Sequence, residues 1–99
     1  MIAVKHIKEG RLVLALCDDD ILGKIFEEGK KILDLSSKFY KGEKHSEEEI
    51  LKYLKESYVV NAAGEKTILF LIKNNLVEKE SVKKINNIPY AQVIFEDRA

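Results

Sequence analysis

A thiol and three consecutive carboxylates interrupt an apolar stretch near the start of the chain, in the segment Cys17-Asp18-Asp19-Asp20. Thiolates and carboxylates are metal ligands, and they also act as nucleophiles and as general acids or bases. Adjacent side chains at the start of a helix diverge by about 100° each, so these carboxylates cannot converge on one cation without ligands from elsewhere. The carboxylates also raise the pKa of the neighbouring Cys17 thiol, whereas a reactive thiolate needs a lowered pKa. The sequence therefore predicts a buried structural thiol, with no catalytic residue, no metal site and no cofactor.

The acidic triplet is instead typical of the beginning of a helix. Asp18 or Asp19 stands where an N-cap residue belongs, and the following carboxylates fall in the first turn, where the helix dipole favours negative charge. Gly29 stands where such a helix would end, because glycine adopts the left-handed conformation of that position. The apolar residues between them recur at i, i+1, i+4 and i+5, namely Ile21, Leu22, Ile25 and Phe26. We therefore expect a short helix between the triplet and Gly29.

A second group of polar residues can line a pocket. Asn61 lies in an apolar segment four residues before Glu65, so both would share one face of a predicted helix over residues 59–73. Glycine inside a helix costs roughly 1 kcal/mol relative to alanine, which suggests close backbone packing at Gly23 and Gly64. The candidate pocket residues are Asp18, Lys24, Asn61 and Glu65. If they converge, they form a small active site; otherwise Asn61 is a cap or a hydrogen-bonded amide beside the core.

Lysines and aromatic residues are interleaved in the polar segment 36–45, which is predicted to be a loop. Lysine neutralises phosphate and an aromatic ring stacks on an unpaired base, so this combination is typical of RNA contacts. Near the end of the chain, a strand beside Pro89 would display a phenol and an amide on an open sheet face. The candidate RNA-binding residues are Lys38, Tyr40, Lys41, Lys44, Tyr90 and Gln92. The alternative is that the lysines form a solvated face and that Phe39 anchors the loop in the core.

The composition indicates a single domain over residues 1–99. Hydrophobic residues make up 45% of the chain, enough for a core without metal ions or disulfides. The chain has 1 cysteine, which excludes an internal disulfide, and no apolar stretch approaches the roughly 20 residues that span a bilayer. The 17 basic and 17 acidic residues cancel, so no overall field attracts nucleic acid. We expect a soluble cytoplasmic protein with no membrane partner.

The periodicity of apolar residues predicts the element order ββαβααββ. A capping box formed by Ser46 and Glu49 marks the start of the second helix. Helices and strands do not alternate as in a doubly wound fold, so the pattern favours an α+β two-layer sandwich, a small mixed β-sheet with helices packed on one face. The predicted strands cover residues 1–7, 11–16, 31–35, 82–85 and 88–95, with turns at Glu9-Gly10 and Asn86-Asn87.

Three separated blocks, CDDDILGKIFEEGKKILDLSSKFYKG, NAAGEKTI and NNIPYAQVIF, resemble a small archaeal family catalogued as domain of unknown function 424. Its pattern is Cys-Asp-x-x-Leu-Leu-Gly-Lys, a later Gly-Glu pair and a terminal Pro-x-Ala-Gln. The chain departs from it at Ile21, at Asn86-Asn87 in place of a glycine-rich turn, and at Tyr90, where a histidine is frequent. The matching residues are Cys17, Asp18, Leu22, Gly23, Lys24, Gly64, Glu65, Pro89, Ala91 and Gln92.

The resemblance implies a two-layer α/β structure, an archaeal cytoplasmic protein and a predicted RNA-binding role linked to translation, with no catalytic residue or cofactor to carry over. The leading hypothesis is a non-enzymatic RNA- or ribosome-associated binding module. A protein-interaction or homo-oligomeric module is the second hypothesis, and a small enzyme with the polar pocket described above is the third. An enzyme is the less favoured class.

Overall fold

The structure, a computed structural model, describes residues 1–96 as a six-stranded mixed sheet with two α-helices and a separate two-stranded hairpin. Two 3₁₀ turns, Asp19–Ile21 and Lys79–Ser81, lie between these elements. In chain order the elements are β1 (Ile2–Lys8), β2 (Arg11–Cys17), β3 (Ile25–Glu28), β4 (Lys31–Asp34), β5 (Glu43–Lys44), α1 (Glu47–Glu56), β6 (Val59–Ala63), α2 (Glu65–Lys73), β7 (Lys83–Ile85) and β8 (Ile88–Ile94). Neither helix of the described residues is long and apolar enough to cross a membrane.

The strands of the main sheet lie in the order β5-β1-β2-β6-β8-β7. β2 and β6 are parallel, whereas every other neighbouring pair of the described sheet is antiparallel. A parallel pair needs a long connection, and the chain between β2 and β6 forms the β3–β4 hairpin, β5 and α1. A mixed sheet combined with two helices confirms the predicted α+β class.

Both helices pack on one face of the main sheet, as predicted. Ile50 and Leu54 of α1 join Leu71 of α2 in a cluster with Leu14 and Leu16 of β2, and each of these side chains is at most 2% exposed. Fully burying such a side chain stabilises a fold by roughly 1.5–3 kcal/mol relative to leaving it in water. This cluster is the main core of the protein.

The opposite face of the sheet is only partly covered. Leu33 and Leu35 pack with Cys17 and Ala63 in a second cluster, and Tyr40 belongs to the same cluster. The cover therefore consists of the β3–β4 hairpin and the loop of residues 36–42. Beyond this cover, several side chains of β6 and β8 on the same face remain accessible to solvent. We call this uncovered part the open face.

The predicted helix between the acidic triplet and Gly29 is wrong. The chain forms only a 3₁₀ turn there and continues into the antiparallel β3–β4 hairpin, in which Phe26 lies opposite Leu33. Gly23 has a φ of +89°, which a right-handed helix cannot accommodate. A helix this short is marginal in water by itself. Packing of Phe26 and Leu33 into the second cluster therefore decides the conformation.

The predicted helix over residues 59–73 is wrong in its first third. Val59–Ala63 form β6, and only Glu65–Lys73 are helical. β6 lies between β2 and β8, with the helices on one face. A strand in such a position has a nearly continuous apolar pattern, and a buried helix has the same pattern, so the sequence does not distinguish them. Gly64 separates the two elements with a φ of +108°. The final hairpin of β7 and β8 agrees with the prediction, including its turn at Asn86 and Asn87.

Candidate functional site

Asp18 follows β2, and its carboxylate caps the N-terminus of α2. Oδ2 of Asp18 accepts a hydrogen bond from the backbone N–H of Lys66 at 3.1 Å. Oδ1 accepts from the backbone N–H of Thr67 and from the Thr67 hydroxyl, both at 2.8 Å. A capping side chain normally belongs to the residue just before the helix, which here is Gly64. Asp18 is therefore a capping residue, as predicted, but it caps α2, which is distant in the sequence, and not the residues that directly follow it.

Gly64 leaves the space that this carboxylate occupies. A Cβ at Gly64 would collide with the carboxyl group of Asp18. The backbone N–H of Gly64 donates to the carbonyl of Pro89 at 2.8 Å, so the three sequence blocks that carry the family resemblance meet at this helix end. Free helix N-termini attract anions, but this one is already occupied by a carboxylate of the protein itself. The arrangement is therefore structural.

The other members of the acidic segment have different surroundings. Asp19 forms an exposed ion pair with Lys44 at 2.7 Å, and the hydrogen bond and charge of Lys44 lower the pKa of Asp19. Asp20 is exposed. Burial, followed by the charge of Asp18, raises the pKa of the Cys17 thiol to about 11, so it stays protonated at neutral pH. Among residues 1–96, no three His, Cys, Asp or Glu side chains are grouped so that they could hold a metal ion.

The structure brings together only two of the four residues of the predicted polar pocket. Asp18 and Glu65 line a cavity of about 240 Å³ beside the N-terminus of α2. Asn61 lines a different cavity on the open face, and Lys24 lies exposed in the turn before β3. A strand at 59–63 explains this separation, because Asn61 and Glu65 do not share a helical face. The geometry therefore gives no basis for an enzyme that uses these four residues together.

A cavity of about 440 Å³ lies on the open face, and we call it the open-face cavity. It is bounded by the loop that carries Tyr40 and by the 3₁₀ turn that ends at Ser81. Its volume is within the range of small-molecule sites. Three of the six predicted RNA-binding residues, Tyr40, Tyr90 and Gln92, line it. The complete lining is formed by Tyr40, Asn61, Ala62, Ser81, Lys83, Tyr90, Ala91 and Gln92.

The register of the strands arranges the polar side chains of the open-face cavity in two rows. Asn61 of β6 lies opposite Gln92 of β8, and Nε2 of Gln92 donates a hydrogen bond to Oδ1 of Asn61 at 2.9 Å. Two residues away along β8, Tyr90 lies opposite Lys83 of β7. Residues two apart on a strand are separated by roughly 6.8 Å. An amide pair and a phenol–ammonium pair therefore form adjacent polar rows.

Tyr40 is a wall of the open-face cavity, and its loop is anchored. The residue is 9% exposed, and burial raises its pKa to about 12, so the phenol keeps its proton at neutral pH. Nε2 of His6 donates a hydrogen bond to the Phe39 carbonyl at 2.8 Å, and the two rings stack with centroids 4.5 Å apart. The ring of Phe39 meets Tyr40 edge-on. Phe39 is thus the anchor of the loop, and Tyr40 is too buried to serve as an open stacking surface.

A family model described as "Protein of unknown function (DUF424)" matches residues 6–95. The chain belongs to this family. A solved structure, described as the crystal structure of an uncharacterized conserved protein from Methanopyrus kandleri, is similar with a TM-score of 0.77 and 24% sequence identity, over 93% of this chain and 88% of that chain. No curated protein matches the chain. The DUF424 match confirms the family resemblance, and the structural neighbour supports the fold alone.

Within this DUF424 fold, the three lysines predicted to contact RNA lie outside the lining of the open-face cavity. Lys38 and Lys41 are exposed on the loop that carries Tyr40, and Lys44 is paired with Asp19. Lys83 does line the cavity, and the sequence interpretation missed it. Counting outward from the recognised turn at Asn86-Asn87 would have identified it, because Lys83 is the cross-strand partner of Tyr90.

Proposed function

We propose that the protein is a non-enzymatic binding module for unpaired RNA and that the open-face cavity is its contact site. The observation that carries this proposal is the presence in one recess of an aromatic ring, two amides and an ammonium group, from Tyr90, Asn61, Gln92 and Lys83. Proteins bind unpaired RNA with such groups, because aromatic rings stack on bases, amides bond base edges and lysines neutralise phosphates. The proposed setting is the cytoplasm of an archaeal cell, with ribosome-associated RNA as the partner that the family resemblance implies.

An unpaired strand fits the site better than a duplex does. The cavity is a recess between the loop of residues 36–42 and the turn Lys79–Ser81, so a base must leave its stack to enter it. Lys38 and Lys41 are exposed on the loop of residues 36–42, where they can contact phosphates next to the bound base. The proposed contacts therefore combine one inserted base with a few neighbouring phosphates.

The number of lysines that contact phosphate determines how the binding should respond to salt. Each phosphate neutralised on a single strand adds about −0.7 to the slope of log K against log salt concentration. Engagement of Lys38, Lys41 and Lys83 therefore predicts a slope of about −2. Most of the affinity must then come from base stacking and hydrogen bonds.

Fluorescence anisotropy with short labelled RNAs that lack secondary structure tests the proposal. We expect saturable binding at low salt, weakened about tenfold by Tyr90→Leu, because one base–aromatic stack is worth about 1–3 kcal/mol. Lys83→Gln should weaken binding and make the salt slope shallower by about 0.7. Lys52→Gln is the matched control, because Lys52 is exposed on α1 on the other side of the sheet. No binding at low salt, or equal losses from the two lysine variants, would refute the proposal.

A second candidate function, self-association or attachment to another protein, is favoured by an exposed apolar pair on the β3–β4 hairpin. Ile25 is 53% exposed and Ile32 is 64% exposed. Their register partners are Asp34 and Glu27, which places both isoleucines on the side opposite Phe26 and the second cluster. Light scattering tests self-association: a dimer that becomes monomeric in the Ile25→Ser/Ile32→Ser variant supports it, and a monomer at all concentrations rejects it.

A further inference from the structure

We infer that the open-face cavity binds a phosphate monoester at the end of an RNA strand. This inference rests on the proposed RNA binding and adds the part of the strand that the cavity recognises. It is carried by three residues of the lining, Ser81, Lys83 and Tyr90, whose side chains end in a hydroxyl or an ammonium group. Such groups donate hydrogen bonds to phosphate oxygens. We call these three residues the donor cluster.

The strand register brings the members of the donor cluster together. Lys83 of β7 lies opposite Tyr90 of β8 in the antiparallel pair. Directly opposite residues of such a pair have Cβ atoms about 4.5–5.5 Å apart. Ser81 ends the 3₁₀ turn two residues before Lys83, and it lines the same cavity. The three residues therefore belong to one side of the cavity, next to the sheet edge that β7 forms.

The protein itself does not use these donors. Among residues 1–96, neither the Ser81 hydroxyl nor the Tyr90 hydroxyl has a hydrogen-bond partner, and Lys83 forms no ion pair. Lys44, by contrast, is paired with Asp19 at 2.7 Å. The hydrogen-bonding capacity of the donor cluster is therefore free for a ligand in the cavity.

The charge of the lining also suits an anion. Of the described residues that line the open-face cavity, Lys83 alone is charged, and none is a carboxylate. The cavity at the N-terminus of α2 is the opposite case, because Asp18, Asp20 and Glu65 line it together with Lys66. Although the chain has no net charge, the open-face cavity is therefore a positively charged recess that attracts phosphate.

A terminal phosphate uses the donor cluster more fully than an internal phosphate does. A phosphate monoester has three terminal oxygens and a charge of about −1.5 to −2 at neutral pH. An internal phosphodiester has one free oxygen fewer and a single negative charge. The monoester can therefore offer one oxygen to each member of the donor cluster, and its larger charge strengthens the attraction to Lys83.

The walls of the cavity also favour a strand end. The recess lies between the loop of residues 36–42 and the turn Lys79–Ser81. An internal phosphate reaches such a recess only if the strand both enters and leaves it, whereas a terminal phosphate needs one entry. The row of Asn61 and Gln92 lies next to the row of Lys83 and Tyr90. The nucleotide that carries the phosphate can therefore contact the amide pair, whatever the orientation of the two amides.

Competition binding with one short unpaired RNA in three forms tests the inference. The unlabelled competitors carry a 5′-phosphate, a 3′-phosphate or hydroxyl groups at both ends. We expect one phosphorylated form to bind about tenfold more tightly than the hydroxyl form at the same salt concentration, which is the effect typical of hydrogen bonds to a charged group. The two phosphorylated forms identify the end that is recognised. A nucleoside monophosphate is the fourth competitor, and it should compete less well than the phosphorylated strand.

Two variants without a change of charge separate phosphate recognition from general electrostatic attraction. Ser81→Ala and Tyr90→Phe each remove one hydroxyl, and phenylalanine keeps the ring that stacks on a base. Each should lower the ratio of the affinity for phosphorylated RNA to that for hydroxyl-ended RNA by about threefold or more. Tyr58→Phe is the matched control, because Tyr58 lies outside the cavity lining and its variant should keep the wild-type ratio.

The outcomes are distinguishable from those of the proposed function. A preference for phosphorylated RNA that both cavity variants reduce supports the inference. If all three RNA forms bind equally, or if both cavity variants keep the wild-type ratio, the inference is overturned while RNA binding stands. A nucleoside monophosphate that competes as well as the phosphorylated strand also overturns it, because the cavity then takes a free nucleotide. If no RNA form binds at low salt, both the proposed function and this inference fail.

Discussion

The capped end of α2 and the open-face cavity are both polar, but they differ in how far groups of the protein itself satisfy their hydrogen bonds. At the helix end, Asp18 is 6% exposed, and its carboxylate accepts three hydrogen bonds from Lys66 and Thr67. In the open-face cavity, Asn61 and Gln92 share one hydrogen bond at the surface, and both residues line the recess. The first site is complete within the protein, whereas the second has capacity left for a ligand.

This difference shows how to separate structural polar residues from candidate binding residues. A buried carboxylate must be hydrogen-bonded or paired to be tolerated. A cluster of reactive residue types in a sequence therefore often has a structural role and not a catalytic one. Exposed amides and lysines gain little from pairing with each other, so their removal costs the fold little. The following predictions test this contrast, from the largest expected effect to the smallest.

Asp18→Ala should have the largest effect on stability. The substitution leaves the N–H groups of Lys66 and Thr67 and the Thr67 hydroxyl without their acceptor at a buried position, so we expect the free energy of unfolding to fall by about 3 kcal/mol. Urea denaturation at neutral pH measures it. Asp20→Ala is the matched control, because Asp20 is exposed and should change stability by less than about 0.5 kcal/mol. Equal effects of the two substitutions would contradict the capping role.

Gly64→Ala should come next. Alanine is strained at a φ of +108°, and its Cβ would displace the Asp18 carboxyl group, so we expect a loss of about 2 kcal/mol or more. Gly29→Ala is the control, because Gly29 also has a positive φ but has no atom within 4 Å of an added Cβ. Its cost should be limited to the backbone strain of about 1 kcal/mol. Denaturant midpoints of both variants give the comparison, and a smaller loss at Gly64 would count against the close packing.

Gln92→Ala should have a small effect on stability but a large one on binding. Its hydrogen bond to Asn61 lies at the surface, so we expect the free energy of unfolding to change by no more than about 0.5–1 kcal/mol. The same variant should weaken RNA binding in the anisotropy assay, because Gln92 lines the proposed contact site. A destabilisation close to that of Asp18→Ala would mean that the amide pair is structural, which would remove the contrast between the two regions.

The ion pair of Asp19 and Lys44 should have the smallest effect, visible as a pH dependence. The pKa of Asp19 is lowered in the folded protein by the hydrogen bond and charge of Lys44. Its contribution to stability is therefore present above the ordinary carboxyl pKa of 3.8 and is lost as the pH falls through the lower folded value. The melting temperatures of wild type and Lys44→Gln should differ slightly at neutral pH and converge in acid. A difference that persists at the lowest pH would contradict this origin.

Much of the fold could be predicted from local signals in the sequence. The capping box of Ser46 and Glu49 forms as expected at the start of α1, because both partners lie within one helical turn. The turn at Asn86 and Asn87 has the positive φ angles that asparagine tolerates, and the strands on either side of it are those predicted. Such features depend on residues a few positions apart, so no tertiary information is needed to find them.

The candidate site was only partly predictable. Tyr90 and Gln92 were selected because strand alternation places them on one face, and both line the open-face cavity. Asn61 was selected for a helical face that does not exist, and Lys83 was missed because its relation to Tyr90 depends on the register of the final hairpin. The cavity itself follows from the loop that carries Tyr40, whose position the sequence does not specify.

The sequence by itself therefore determined the α+β class, the hairpins at both ends of the chain and the helix that begins after Ser46, because these rest on short-range periodicity, caps and turns. Only the tertiary structure decided that Val59–Ala63 form a central strand, that the acidic segment leads into a hairpin and that Asp18 caps a helix whose first bonded residue lies 48 positions away. The physical reason is that an apolar segment is compatible with either helix or strand until its neighbours are known, and a carboxylate takes whichever donors the fold brings to it.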